Sequence, residues 1–416
     1  NSGIEWVGDI PDNWETCRLK YLYKTVSGNG FNIDLQGEEC GDYPFCKASD
    51  ISIADKDLYK AQNYVTEQIA RLNKYNIIPQ GSIIFAKIGE AMKKNNRAIC
   101  RCNCCIDNNC QALIPFFVIN EIYSYYLLKC VDMQWFDNAG TIPCISVRKL
   151  MNSSIAIPPL SEQKAIAEVL DKKCGEVDAL IADIQQEIET LEQYKRSVIT
   201  EAVTKGLDPS VPMKDSGIDW VGIMPKHWKK MPNKYLMYKE KTICPVYNGE
   251  SILSLTMKGG VVRDLEAGGK MPTSFDGYQQ IKAGDLLMCL FDIDVTPRCI
   301  GLICNNGVTS PAYSQFIMKK NAYAPFYSYY YLMVDFTKEL LHMAKNLRHS
   351  LNEEQFGAIL APVPPIEEQH QIADYLDKKC KEIEEIIAEK QSQIETLESY
   401  KKSLIYEYVT GKKEVG

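Results

Sequence analysis

The chain has 416 residues, 45% hydrophobic and 24% charged, the balance of a core-forming protein rather than a disordered one. No apolar run approaches the roughly 18 residues that a membrane helix needs, and no secretory leader is visible, so neither a membrane-spanning nor a secreted protein is expected. The net charge of −7 is unevenly spread: residues 158–205 hold 6 basic and 10 acidic side chains and residues 364–416 hold 8 and 12, whereas residues 24–157 come to +1 and residues 214–363 to +3. The overall sign therefore says little about what the less acidic stretches bind.

Residues 2–14 read SGIEWVGDIPDNW, and residues 216–228 repeat them as SGIDWVGIMPKHW. The second copy is preceded by MKD where the first begins at Asn1, which points to a short piece ahead of the first copy. Residues 158–197, PPLSEQKAIAEVLDKKCGEVDALIADIQQEIETLEQYKRS, return at 364–403 as PPIEEQHQIADYLDKKCKEIEEIIAEKQSQIETLESYKKS. Within the first copy, Leu170, Cys174, Val177, Ile181, Ile184, Ile188 and Leu191 are spaced alternately four and three apart. That is a heptad seam, which calls for a partner helix. The second copy supplies Leu376, Cys380, Ile383, Ile387, Ile394 and Leu397, with Lys390 interrupting the stripe. Two prolines and first-turn Glu and Gln mark each start, and such a helix would measure roughly 60 Å at about 1.5 Å per residue. Two matching seams in one chain pair most economically with each other, antiparallel, with outer faces left over for other proteins. Gly206, Pro209 and Pro212 stop the first helix, while the second is expected simply to run out at GKKEVG.

The two middles, 24–157 and 238–363, read as mixed α and β. Residues 79–89 (PQGSIIFAKIG) resemble residues 282–292 (KAGDLLMCLFD), a turn leading into a buried strand and then a polar loop. Tyrosine-rich helices follow at 121–129 and 326–333. Their rings could stack on bases, but helical spacing favours a core role. Each middle closes with a loop ahead of the Pro-Pro pair, GTIPCIS at 140–146 and NLRHSLN at 346–352.

Sixteen cysteines in a long chain rich in other core residues point to a reducing cytoplasm, not a disulfide scaffold. Cys100, Cys102, Cys104, Cys105 and Cys110 lack paired C-x-x-C knuckles, and no histidine occurs in the first 226 residues. Cys100, Cys102 and Cys104 are expected on one face of a strand as small apolar residues, with no metal. No N/D-P-P-Y/F motif and no G-x-x-x-x-G-K-S/T loop occurs, and Asp292 and Asp294 read as a solvated turn. No catalytic constellation is found.

The duplicated SGI-E/D-WVG and PP-x-x-EQ segments closely resemble those of the specificity subunits of type I restriction-modification systems, over the whole chain. The resemblance implies an α+β protein in which two globular mixed α/β target-recognition domains are joined by two long antiparallel coiled-coil helices in a pseudo-two-fold internal repeat. Its parts would be 1–157, the first target-recognition domain; 158–205, the first helical region; 206–363, the linker and second target-recognition domain; and 364–416, the second helical region. It also implies a non-catalytic, cytoplasmic protein that reads a bipartite site in double-stranded DNA. Its helices would act as a ruler and dock two methylation subunits and, through the complex, restriction subunits. S-adenosylmethionine, ATP and Mg would then belong to those partners, with no cofactor in this chain. A decoy or scaffold that binds methylation subunits without reading DNA is the alternative.

Base contacts vary within such a family and do not transfer by motif, so DNA contacts are expected by position, in loops after the matched strands and in the closing loops. In the first domain these are Lys87, Lys93, Lys94, Asn95, Arg97 and Thr141. In the second they are Lys258, Arg263, Lys270, Arg298, Tyr313, Arg348 and His349.

Overall fold

The computed structural model describes residues 1–138, 140–266, 272, 274–344 and 346–415. The Pro-Pro pairs open two continuous helices, Leu160–Lys205 and Ile366–Val409. Contacts divide the chain into two compact units, Asn1–Ile184 with Ser392–Gly416, and Gln185–Gln391. The division falls inside both long helices, so each unit contains a segment of each.

In the first unit, Ile166, Ala167, Leu170 and Cys174 share a core with Leu404, Ile405, Tyr408 and Val409, and Lys401 pairs with Asp178 at 2.6 Å. In the second unit, Ile199, Ala202 and Val203 share a core with Ile372, Ala373, Leu376 and Cys380. There Lys195 pairs with Glu384 and Lys390 with Glu187. Partners descend along one helix as they ascend along the other, so the helices run antiparallel within each unit. Lys390, which interrupts the sequence seam, is thus the cation of a cross-helix ion pair.

Both long helices end on a glycine in the left-handed region. Gly206 has φ +76°, and a Cβ there would lie 2.9 Å from a Glu368 carboxylate oxygen. Gly411 has φ +71°, and a Cβ there would lie 2.4 Å from Pro11 Cδ. The second helix therefore does not merely run out: like the first, it stops where only glycine gives both the conformation and the room.

The two middles share more than their sequences suggest. In the first unit the strands Tyr23–Ser27, Cys110–Pro115, Ile83–Ala86 and Arg97–Cys100 lie side by side in that order, antiparallel, with Asp57–Leu58 added in parallel at the edge. In the second unit Met237–Glu240, Ser314–Met318, Leu286–Met288 and Ile300–Leu302 repeat the order. A strand pair also recurs: Glu15–Arg18 with Ser154–Ile157, and Lys229–Pro232 with Leu360–Val363. The units differ in what is attached, a three-stranded sheet in the first and a five-stranded sheet in the second.

The tyrosine-rich helices, Glu121–Cys130 and Ala324–Phe336, bury Tyr123, Tyr125 and Tyr126 and, in the second unit, Tyr327, Tyr330 and Tyr331. They are core elements. The expectation for the cysteines needs correction. The strand ends at Cys100, a turn follows, and Cys102 turns outward with its sulfur 3.5 Å from Tyr59 O. Cys46, Cys100, Cys104 and Cys110 are fully buried in one small core, with Cys100 and Cys104 sulfurs 3.4 Å apart. Among the described residues no group of three or more His, Cys, Asp and Glu is arranged to hold a metal ion, and no helix is long and apolar enough to cross a membrane.

Candidate nucleic-acid interface

The repeated motifs meet in space. Glu162 accepts the Trp14 indole N–H at 3.0 Å and the Asn13 amide at 2.9 Å. In the second unit Glu368 accepts the Trp228 indole at 3.0 Å and lies 2.8 Å from His227 Nε2. The neighbouring glutamines are buried and do a second job. Gln163 accepts from Asn120 N at 2.8 Å and donates to Val118 O and Pro158 O. Gln369 accepts from Tyr323 N at 2.8 Å and donates to Asn321 O and Pro364 O. The Glu-Gln dipeptide thus ties the start of each long helix to the tryptophan segment on one side and to the tyrosine-rich helix on the other.

This frame presents the same pair of loops in each unit. In the first, Ile145 N donates to Lys87 O at 2.9 Å and Gly89 N to Pro143 O at 2.8 Å. In the second, Leu351 N donates to Leu290 O at 2.8 Å, and Asp292 N to Arg348 O at 3.0 Å. Each closing loop then enters a short helix through an N-cap, Ser146 or Asn352. The loop after the matched strand and the closing loop are therefore one surface, built twice on carbonyl and N–H groups that place few demands on side-chain identity.

Lys87, Lys93, Lys94 and Thr141 lie on this surface in the first unit; Lys93, Lys94 and Thr141 are exposed, and Lys93 is paired with Glu90 at 2.7 Å. Asn95 and Arg97 do not serve as expected. Arg97 is completely buried: it donates to Asn95 O at 2.7 Å, Asn95 Oδ1 at 3.0 Å and Val131 O. Burial lowers its basicity to about 10. Asn95, at φ +55°, spends its side-chain oxygen on Arg97 and on Met133 N. These two residues brace the loop from inside because an acceptor for Arg97, Val131 O, and a donor to Asn95, Met133 N, both lie on the neighbouring segment.

In the second unit Arg348 is exposed on the closing loop, and His349 Nδ1 bonds Asp294 at 2.9 Å. That bond holds the Asp294 carboxyl below its ordinary range, so the expected solvated turn is a pinned one. Tyr313 stacks on Phe291 with centroids 6.4 Å apart. Burial raises its phenol pKa, and Phe291 directly precedes Asp292 of the loop pair. Arg298 and Lys258 are elsewhere. Arg298 donates to Ile300 O and Met257 O, and both residues line a cavity of about 240 Å³ with Lys195, Asp377 and Glu384 of the long helices. They face the helical frame, not the closing loop. Lys270 lies outside the described residues.

Sequence reasoning missed Phe291, whose stacking partner is 22 positions away, and Arg148 and Lys149, exposed on the helix that the first closing loop enters. The signal for the two basic residues was present: they lie in the first turn after the Ser146 N-cap, behind Val147.

The model of the type I restriction modification DNA specificity domain matches residues 11–190 and 300–396, more than half of the chain. The chain belongs to that family. Two relatives are specificity subunits of Methanocaldococcus jannaschii: the provisionally assigned MjaX, 26% identical over 98% of this chain and 95% of that one, and MjaVIII, 24% identical over 97% and 93%. The Escherichia coli EcoBI specificity subunit is 25% identical over 56% of this chain and 52% of its own. A chain solved in work on complex assembly and conformational transition of the type I R-M system has a TM-score of 0.71 at 11% identity, covering 97% of this chain and all of its own. That likeness supports the fold. As a member of this family the chain has its two-domain, α+β architecture with long helices.

Proposed function

We propose that this chain is the DNA-reading subunit of a type I restriction-modification complex, each unit reading one half of a bipartite site. The observation that carries the reading is the loop pair built twice on one repeated frame but from unlike residues. Lysines and Thr141 form it in the first unit, and Arg348, His349 and Phe291 with Tyr313 stacked on it form it in the second. A frame that is kept while two loop pairs diverge suits two different half-sites. Arginine, histidine and lysine can address base edges, while surrounding cations set register on phosphates. Methyl transfer and cleavage would belong to methylation and restriction subunits docked on the long helices, which bring S-adenosylmethionine, ATP and Mg. The cellular site would be the cytoplasm.

The test is methylation profiling of DNA from cells that express this chain with its cognate methylation subunit. One bipartite adenine-methylated motif that vanishes without the chain is expected; a stable complex that methylates nothing would favour a scaffold. A finer expectation concerns Lys93 and Lys94. In the assembled complex, Lys93→Ala with Lys94→Ala should flatten the slope of log K against log salt by about 2, since each lost phosphate contact removes about 0.9. The preferred bases should not change. An unchanged slope would remove both lysines from the interface.

A further inference from the structure

We propose that Tyr126–Asp171 and Tyr329–Asp377 are positioning latches that set the spacing at which the two half-sites are read, the first latch being tight and the second adjustable. The inference rests on the DNA-reading function proposed above.

The Asp-Lys-Lys-Cys tetrapeptide is identical in both long helices. A solvated helical aspartate would need no such constancy. Instead, Asp171 accepts the Tyr126 hydroxyl at 2.7 Å, and Asp377 accepts the Tyr329 hydroxyl at 2.7 Å. The two tyrosines hold matched places in the tyrosine-rich helices: each comes six residues after the backbone N–H that Gln163 or Gln369 receives. Burial, reinforced by the adjacent carboxylate, raises both phenol pKa values far above neutrality, so the hydroxyls remain donors. Each tyrosine-rich helix packs against its unit's sheet, so this bond is a second polar tie, beside that of Gln163 or Gln369, between the sheet layer and the helical frame.

The latches are unequal. Asp171 also takes the Lys56 ammonium at 2.5 Å, and Lys56 lies 5.5 Å from the Tyr126 ring centre. Lys56 directly precedes Asp57–Leu58, the strand beside Arg97–Cys100. In the second unit Lys258 precedes Gly259–Val262, which approaches the matched strand Ile300–Leu302 closely enough that a Cβ on Gly260 would lie 3.1 Å from Leu302 O. Lys258 lines the 240 Å³ cavity with Asp377 but, among the described residues, forms no ion pair with it. Beyond the ties that the Glu-Gln dipeptides make in both units, the first latch therefore joins a phenol and an ammonium to its aspartate, and the second joins a phenol. Re-seating on the frame falls to the second unit, and the bases it reads are left untouched because neither Tyr329 nor Asp377 belongs to the loop pair.

The experiment uses the full chain with its methylation subunits. Duplexes carry the two half-sites found by profiling, at the native gap and one base pair shorter or longer. Tyr329→Phe and Asp377→Asn should each cut the preference for the native gap by about tenfold, the scale of one charge-assisted hydrogen bond, with half-site bases unchanged. Asp377→Glu should restore part of it. Tyr126→Phe should have a smaller effect until Lys56→Met is added. Unchanged gap preference in Tyr329→Phe and Asp377→Asn would overturn the proposal. If the wild-type complex methylates no bipartite site, the DNA-reading function fails, and amide exchange of the full chain decides the latch by itself. Tyr329→Phe must then speed exchange in Ala324–Phe336 by about tenfold, and Tyr126→Phe must speed exchange in Glu121–Cys130 by less; equal or absent changes would sink it.

Discussion

Trp228→Ala is expected to cost the second unit about 3–5 kcal/mol, the range for truncating a buried aromatic. Trp228 is fully buried, meets Phe326 edge to face with centroids 6.5 Å apart, and donates its indole N–H to Glu368. Its removal opens a void beside Gly206 and leaves the Glu368 carboxylate, at the first turn of the second long helix, with His227 alone. The loss should be read by denaturant titration combined with amide exchange, with protection falling across the strands around Leu286–Met288 while Ile83–Ala86 keeps its own. A change under about 1 kcal/mol would mean that the tryptophan segment is not part of the cooperative core. In the assembled complex, methylation directed by the second half-site should fail at a lower temperature than in the wild type.

The second large effect is expected at Arg97. Its guanidinium donates to three acceptors on two segments, and Arg97→Ala leaves the buried Val131 O and the part-buried Asn95 O without this donor, at a cost of about 3 kcal/mol. Arg97→Lys should recover only a part, because an ammonium does not reproduce the planar fork that spans Asn95 and Val131. The two roles open to this residue predict different salt dependence. As an internal brace, its loss lowers DNA affinity by loosening residues 93–96 but leaves the slope of log K against log salt unchanged. As a phosphate contact, its loss would flatten the slope by about 1. The buried geometry predicts the unchanged slope.

Much of the frame is legible without coordinates because it is encoded locally. The heptad spacing from Leu170 to Leu191 and the Pro-Pro starts specify long amphipathic helices, and two like seams in one chain lead to antiparallel pairing. The echoed tryptophan segments mark the internal repeat, and the matched Gly-Ser and Gly-Asp turns locate one strand in each middle. Even Lys390, which reads as a flaw in the seam, is explained once Glu187 faces it.

Other features depend on which distant segments meet, and no local pattern carries that information. The shared strand order of two middles with dissimilar sequences comes from backbone hydrogen bonds, which many side chains can accompany. Arg97 reads as a surface cation until Val131, 34 positions on, proves to be its acceptor. Arg298 reads as a loop cation until Met257 and the long helices draw it away from the closing loop. The Glu-Gln dipeptide reads as a helix start, yet its pairing with the tryptophan segment, made in both units, spans 148 positions in the first and 140 in the second. Periodicity and turn chemistry act over a few residues, so the repeat, the helices and their partnership can be read along the chain. Burial and hydrogen-bond partnership are properties of the packed molecule, so which charges face outward and which brace the loops emerges on folding.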